Sequence, residues 1–463
     1  MSTVAIVGAG PAGLRAAEQL VGAGLRPVLI DESPRVGGQI YRQPPPALQR
    51  PVRALYGFEA GKATALFHRF AQLAPQVDHR PDTLVWQIEG RTLHLLCGDR
   101  ADSLAVDALI LATGATDRVL PFPGWTLPGV FTLGAAQVAL KAQASLVGPR
   151  VVFAGTGPLL YLVAWQYAHA GGTVQAVLDV APPGSRVRAL PDLLARPEVA
   201  AKGAYFLAQL RLAGVPVHQG AQLVRAEGNG CVQHMHWRIG PRRHVTACDA
   251  IAFGHGLRSE TQLADLAGCA FEFSAIDQAW LPRQDAQGRS SVPGVYLAGD
   301  GAAILGADAA ELSGARAARA LLQDLGRPAP ARDDAAAMAM HRRFRQGLEA
   351  LCPLPADWAA QAPDDLIVCR CEEVTAGTLR ACVHDTGTDE LNRLKALTRI
   401  GMGRCQGRMC APAAARLLAH AAGRPLAEVG RLRSQPPVKP VPVAVLGAAA
   451  AAVAPVPSDE RDD

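Results

Sequence analysis

A chain of 463 residues, 49% of them hydrophobic, is long enough to bury several cores, and about three domains are expected. A net charge of +5 is thin for this length, and no basic run is interleaved with aromatics, which argues against nucleic acid as a partner. Ten cysteines in a chain with this composition do not suggest a disulfide framework, and six of them are isolated.

Met1-Ser-Thr leads directly into an apolar run, so no secretory leader is expected. The run Val4-Ala-Ile-Val7 reads as a strand, and Gly8-Ala-Gly10-Pro11-Ala12-Gly13 turns it into a helix. A second strand, Pro27-Val-Leu-Ile30, ends in Asp31-Glu32. Strand, glycine turn, helix and acid-tipped strand are the pattern of a dinucleotide site. Gly8 permits the turn, Gly10 admits a pyrophosphate, and Gly13 lets helix and sheet pack closely. The helix N-terminus offers unpaired N–H groups to phosphate, and Asp31 or Glu32 can accept from ribose hydroxyls.

Next comes a loop with paired glycines, Gly37-Gly38-Gln39-Ile-Tyr41, then a proline-rich excursion. Residues 83–88 and 92–96 read as a hairpin, and Ala108-Leu-Ile-Leu-Ala112 as a buried strand ending in Thr113-Gly114. Residues 121–129 read as a rigid proline- and glycine-rich linker, with a helix beginning after Gly129. The opening pattern then repeats: strand 151–154, turn Gly155-Thr-Gly157-Pro-Leu-Leu160, a helix, and strand 174–178 ending in Asp179. Leu160 stands where the third glycine belongs, so this helix and strand should sit further apart. Asp179 favours an unphosphorylated ribose, and the incomplete repeat leaves NAD(P), ATP or no ligand open. The run 151–178 is too broken by glycines to span a bilayer. Ala250-Ile-Ala-Phe-Gly254-His255 closes the second domain; a lone histidine after a strand reads as structural. Gly294-Val-Tyr-Leu-Ala-Gly299-Asp300 returns to the first, followed by a long alanine-rich helix.

The remaining four cysteines lie in Cys369-Arg-Cys371 and Cys405-Gln-Gly-Arg-Met-Cys410, with helix-like stretches at 376–384 and 389–399 between them. Four thiolates suit a 2Fe–2S cluster, whose negative charge Arg370, Arg404 and Arg408 would offset. Structural zinc is the rival, although CxC is cramped for its usual hooks. N–H groups of Gly401, Gly403 and Gly407 could face the sulfurs. The composition of residues 425–463 suggests a disordered tail.

Residues 8–13, 113–114, 155–160 and 299–300 together resemble the two-dinucleotide-binding-domain flavoproteins, relatives of glutathione and thioredoxin reductases. Gly37-Gly-Gln-Ile-Tyr41, Pro121-Phe-Pro-Gly-Trp125 and Gly155-Thr-Gly-Pro-Leu-Leu160 resemble a narrower family. It comprises the larger flavin subunits of opine oxidases, of proline and D-hydroxyproline dehydrogenases, and of hydrogen cyanide synthase. Residues 369–375 and 401–410 resemble the bacterioferritin-associated ferredoxin-like 2Fe–2S domain.

The resemblance implies an α/β fold of two Rossmann-like domains, glutathione-reductase-like, the second inserted in the first. A small, mostly helical iron–sulfur domain follows. The expected boundaries are 1–145 with 267–328 for FAD, 146–266 for the inserted domain, 329–363 for a stretch mixing linker with helix, and 364–424 for the cluster. FAD would rest on Gly8, Gly10, Pro11, Ala12, Gly13, Asp31, Glu32, Gly38, Gln39, Thr113, Gly114, Gly299 and Asp300. Gly155, Gly157 and Asp179 would line the second nucleotide site, and Cys369, Cys371, Cys405 and Cys410 would hold the cluster. No redox cysteine pair stands beside the first flavin loop, so disulfide reduction is not expected.

The implied function is an FAD-dependent oxidoreductase: the electron-transfer subunit of an amino-acid or opine dehydrogenase. It would take electrons from an amine-oxidising flavin subunit (beta). A small ferredoxin-like protein would be a further partner, and a quinone the acceptor. The expected location is cytoplasmic, peripheral to the inner membrane at most through the complex. The alternatives are a stand-alone NAD(P)H-dependent FAD oxidoreductase, a hydrogen cyanide synthase subunit, and a structural subunit with a non-catalytic nucleotide site.

Overall fold

The computed structural model describes residues 2–48 and 50–445. In chain order, the elements that position the sites begin with β1 (Val4–Val7), α1 (Pro11–Gly22), β2 (Val28–Ile30), β3 (Asp78–Arg80) and β4 (Ala108–Leu111). There follow β5 (Val130–Thr132), α2 (Leu133–Ala142), β6 (Arg150–Thr156), α3 (Pro158–His169), β7 (Thr173–Asp179), β8 (Val217–Gln219) and β9 (Ala250–His255). Then come β10 (Val295–Leu297), α4 (Ala307–Asp324), α5 (Ala335–Leu351), α6 (Ala376–Thr386), α7 (Leu391–Thr398) and α8 (Ala411–Ala421).

Two parallel five-stranded sheets organise the chain, in the orders β10-β4-β1-β2-β3 and β8-β7-β6-β9-β5. Their central strands, β1, β4, β6 and β9, are apolar and buried along most of their length, as sheets covered on both faces require. β10 comes from residues 295–297 yet pairs with β4, so the first domain is interrupted by the second. The chain enters the second sheet earlier than the sequence suggests: β5 pairs with β9, and α2 packs in the second core through Leu133, Ala136 and Leu140. The helical signal after Gly129 hid the three-residue strand ahead of it. The hairpin expected at 83–96 is present, as Thr83–Glu89 against Thr92–Cys97, and Arg100–Ala105 extends it to three strands.

The stretch read as a linker, 121–129, is a docking surface. Trp125 Nε1 donates to the Ile367 carbonyl at 2.7 Å, and Trp358 Nε1 donates to the Pro121 carbonyl at 2.9 Å. The C-terminal helices therefore share one continuous core with the second sheet.

The expected disorder from residue 425 does not hold for 425–445. Val429, Val438 and Val445 are buried, and Arg431 grips Asp265 through two bonds of 2.6 and 2.7 Å. Composition registers the prolines and alanines but not the grooves that these three valines fill. The rest of the expected tail, 446–463, lies outside the described residues.

Candidate functional site

The first glycine turn has the shape that the dinucleotide pattern predicts. At Gly8, φ is +108°, and a Cβ there would lie 2.2 Å from the Ala112 carbonyl oxygen; at Gly13 it would lie 1.8 Å from the Gly8 carbonyl oxygen. Side chains are thus barred, and α1 starts hard against the end of β1. Pro11 opens the helix, whose first turn carries no acidic residue and no side-chain cap, so its N–H groups stay available to an anion. The Gly37-Gly38 loop folds back over this turn, where a Cβ on Gly38 would come within 2.9 Å of the Gly10 Cα, and Gln39 is exposed beside it. Backbone thus approaches backbone, leaving a cradle that side chains would fill.

The structure separates the two acids at the end of β2. Asp31 accepts from the Ala9 N–H at 2.6 Å and the Ser33 N–H at 2.7 Å, so its carboxylate sits on the glycine turn. Glu32 is exposed and pairs with Lys439.

On the other side of the cradle, the Gly299 N–H donates to Ser313 Oγ at 2.7 Å. Asp300 Oδ1 accepts from the N–H groups of Leu305 and Gly306, at 2.9 and 3.0 Å, and burial pushes its carboxyl above the usual range. Gly306 is the N-cap of α4, so Asp300 is locked to that helix start. Ala12 of α1 packs on Gly314 of α4, where a Cβ would lie 2.0 Å from the Ala12 oxygen. The first turn of α1 thus packs against the middle of α4, and Gly301 lies against Thr113-Gly114, where a Cβ would come within 2.5 Å of Thr113 Oγ1.

The second turn is built alike but filled differently. A Cβ on Gly155 would lie 1.8 Å from the Gly254 oxygen, and Gly157 has φ of +106°. Leu160, in place of the third glycine, is fully buried in the core of this domain. Asp179 is 4% exposed and accepts from the Tyr161 hydroxyl at 2.5 Å and the Ala181 N–H at 2.9 Å. Burial, then the Asp179 charge, pushes the Tyr161 hydroxyl upward. The end of α5 crosses the same crevice: Ser185 Oγ donates to the Leu351 carbonyl at 2.7 Å. The buried Cys352 thiol stands beside Thr156 and Gly157, and burial, then Asp179, pushes it up to about 12. Ligands of doubly wound sheets bind at the carboxyl ends of the strands. Here Tyr161, Cys352 and Leu351 of the chain itself occupy that place.

His255 reads as structural. Its Nδ1 accepts from the Leu120 N–H at 3.4 Å, it is 3% exposed, and burial, then Arg118, pushes its pKa down to about 3.

The four clustered cysteines come together. Cys410 interacts with Cys369 and with Cys405, and Cys405 in turn with Cys371. The Cys410 thiol, then N–H groups including that of Gly401, pulls Cys369 down to about 6 against the opposing effect of burial. The Cys410 thiol, with N–H groups of Met409 and Gly407, also pulls Cys405 downward. Cys410, opposite both, is pushed up. Cys371 is pushed up as well, by burial, so the thiols of the set act directly on one another. Among the described residues no group of three or more His, Cys, Asp or Glu side chains could hold one metal ion. A binuclear cluster of four thiolates does not ask all four sulfurs to meet at one point, whereas a tetrahedral zinc does.

The arginines expected around the cysteines go elsewhere. The Arg370 guanidinium lies over the Trp125 ring at 5.7 Å, Arg404 is exposed, and Arg408 pairs with Glu260 at 2.7 Å. The segment 258–262 was missed from the sequence. The Glu260 N–H donates to the Gly114 carbonyl at 2.9 Å, and Thr113 Oγ1 donates to the Glu260 carbonyl at 2.5 Å. On its other side, Gln262 Nε2 donates to the Gln406 carbonyl at 2.8 Å, and Arg258 donates to the Arg408 carbonyl at 3.2 Å. One short segment thus ties the edge of the first nucleotide cradle to the Cys405–Cys410 loop. Nothing local marks it, because its partners lie about 145 residues away in both directions.

Comparisons with known proteins agree with this geometry. Residues 2–327 match the pyridine nucleotide-disulphide oxidoreductase family, and residues 366–450 match the sarcosine oxidase A3 domain. An opine oxidase subunit of Rhizobium meliloti is 37% identical, across 96% of this chain and 86% of that protein. Hydrogen cyanide synthase subunit HcnB of Pseudomonas aeruginosa is 35% identical, across 94% of this chain and 96% of its own length. Among solved structures, L-proline dehydrogenase from P. horikoshii superposes with a TM-score of 0.69 at 22% identity, covering 96% of this chain and 79% of that one.

Proposed function

This chain belongs to the pyridine nucleotide-disulphide oxidoreductase family, alongside the opine oxidase and HcnB relatives, and from that premise we propose that it is the electron-transfer subunit of an amino-acid or opine dehydrogenase. It is an FAD-dependent oxidoreductase. The single observation that carries the finer reading is the segment 258–262, which joins the glycine cradle to the cysteine quartet within one chain. FAD, when bound, supplies a two-electron acceptor, and a 2Fe–2S cluster a one-electron carrier. Gly8, Gly10 and Gly13 would admit the pyrophosphate, Asp31 would accept from the ribose, and Asp300, which holds the start of α4, would stand on the flavin side. Cys369, Cys371, Cys405 and Cys410 hold the irons. The amine substrate, an amino acid or opine, is oxidised by a partner flavin subunit (beta), and a quinone accepts the electrons.

The filled second crevice favours this reading over a self-sufficient NAD(P)H oxidoreductase. NAD(P) or ATP would have to displace Cys352 and break the bond between Asp179 and Tyr161. The test is to purify the chain with its partner under anaerobic conditions and assay flavin, iron and acid-labile sulfide. About one flavin and two irons per chain are expected, with the flavin bleached by proline, hydroxyproline or an opine and not by NADH. Zinc in place of iron, or rapid bleaching of the isolated chain by NADH, would overturn it.

A further inference from the structure

The 258–262 segment carries a cation that the pairing pattern leaves over. Arg258 Nη1 donates to the carbonyls of Gly407 and Arg408, at 3.5 and 3.2 Å. Those two residues lie between Cys405 and Cys410, so the guanidinium is bound to the cysteine loop itself, through backbone oxygens. Among the described residues Arg258 makes no ion pair; the nearby Glu260 carboxylate acts on it electrostatically but is taken up by Arg408 at 2.7 Å. Cys405 and Cys410, which flank the two residues whose carbonyls hold the guanidinium, are the next groups that act on Arg258. Arg258 is half-buried, and a cation withdrawn from water whose neighbouring carboxylate is already paired is favoured by another anion close by. The anion in reach is the quartet itself, and a four-thiolate 2Fe–2S site carries about two negative charges oxidised and three reduced.

Resting on the cluster reading above, we infer that Arg258 is the charge-compensating residue of the cysteine quartet: its guanidinium, tied to the Gly407 and Arg408 carbonyls, stabilises the charge added on reduction and so sets the potential at which the quartet takes an electron. Glu260 works against it. Its carboxylate neutralises Arg408, the other cation within this loop, while its backbone holds Thr113 and Gly114 of the flavin cradle. Charge close to a cluster is one of the levers by which a protein tunes such centres.

The test is a redox titration of the full chain, followed by the paramagnetic resonance signal of the reduced cluster, which reads potential rather than turnover. R258Q is expected to keep its iron and lower the ratio of reduced to oxidised cluster at a fixed potential by about tenfold, which is about 59 mV for one electron. R258K is expected to recover most of that loss, and E260Q to move the midpoint the opposite way by leaving Arg408 unneutralised. R258Q with full iron and sulfide and an unmoved midpoint would overturn the inference. So would a shift of the same sign in R258Q and E260Q, the signature of a loosened loop. If R258Q loses iron, retention in R258K together with the upward shift in E260Q supports the charge role; loss in both arginine variants overturns it. A wild-type chain without iron and sulfide would sink the cluster reading itself, and is distinguishable from all of these.

Discussion

Replacing Gly13 by alanine tests the first cradle most directly. The added Cβ would lie 1.8 Å from the Gly8 carbonyl oxygen, whereas ordinary contact begins at 3.4 Å, so α1 and the turn must part by about 1.6 Å. Both partners are backbone, and α1 is pinned behind by Gly314 of α4, so no flexible side chain can absorb the shift. Hydrogen bonds of about 2.9 Å from the helix N–H groups to a pyrophosphate would stretch beyond 4 Å and fail. Bonds to a charged acceptor are worth about 1.5–3 kcal/mol each, so losing two weakens FAD binding by about 3–6 kcal/mol, or roughly a hundredfold to ten-thousandfold. The assay is flavin retained per chain after desalting, with rebinding followed by quenching of flavin fluorescence. Thermal unfolding of the flavin-free forms separates affinity from folding. A Gly13→Ala chain that binds FAD within threefold of wild type would refute the assignment of this turn as the pyrophosphate site. Leu160, at the matching place in the second repeat, already shows that position filled without harm to the fold.

The neutral, buried His255 makes the chain acid-sensitive. Its folded pKa of about 3 lies below the unfolded value of about 6.5, so the unfolded state binds the extra proton between those pH values. The stability it contributes is complete above pH 6.5 and is lost as pH falls toward 3, at about 1.4 kcal/mol per pH unit. Denaturant unfolding at pH 7 and pH 5 should therefore show a loss about 2 kcal/mol larger in wild type than in His255→Gln, which keeps an acceptor for the Leu120 N–H; equal losses would refute it. Arg431→Gln should release the 425–445 segment. It removes two bonds to Asp265, whose side chain is 6% exposed, and the contact of the guanidinium with the Phe271 ring at 3.7 Å. About 2–3 kcal/mol of stability should go, together with protection of the segment from limited proteolysis. Unchanged digestion would show that Val438 and Val445 suffice to hold it.

The sequence alone determined the parts whose physics is local. The turn at Gly8 to Gly13 is legible because its spacing is set by one helix start against one strand. The duplicate at Gly155 is legible for the same reason, and the interruption of the first domain follows from the repeat together with the return at Gly299-Asp300. The CxC and CxxxxC pairs are legible as one set, and the fold brings their four thiols together. Tertiary structure decided what depends on partners far apart in the chain. It set the Asp31 carboxylate on the glycine turn and paired Glu32 with Lys439. It laid the end of α5 against the second glycine turn, with Ser185 bonded to the Leu351 carbonyl and Cys352 beside Gly157. It paired Arg408 with Glu260 and left Arg258 bound to the cysteine loop, reversing the roles that proximity in sequence suggests. A charge acts over a few ångströms of space whatever its distance along the chain, so the arginine that matters to a buried centre is settled only once the domains have closed around it.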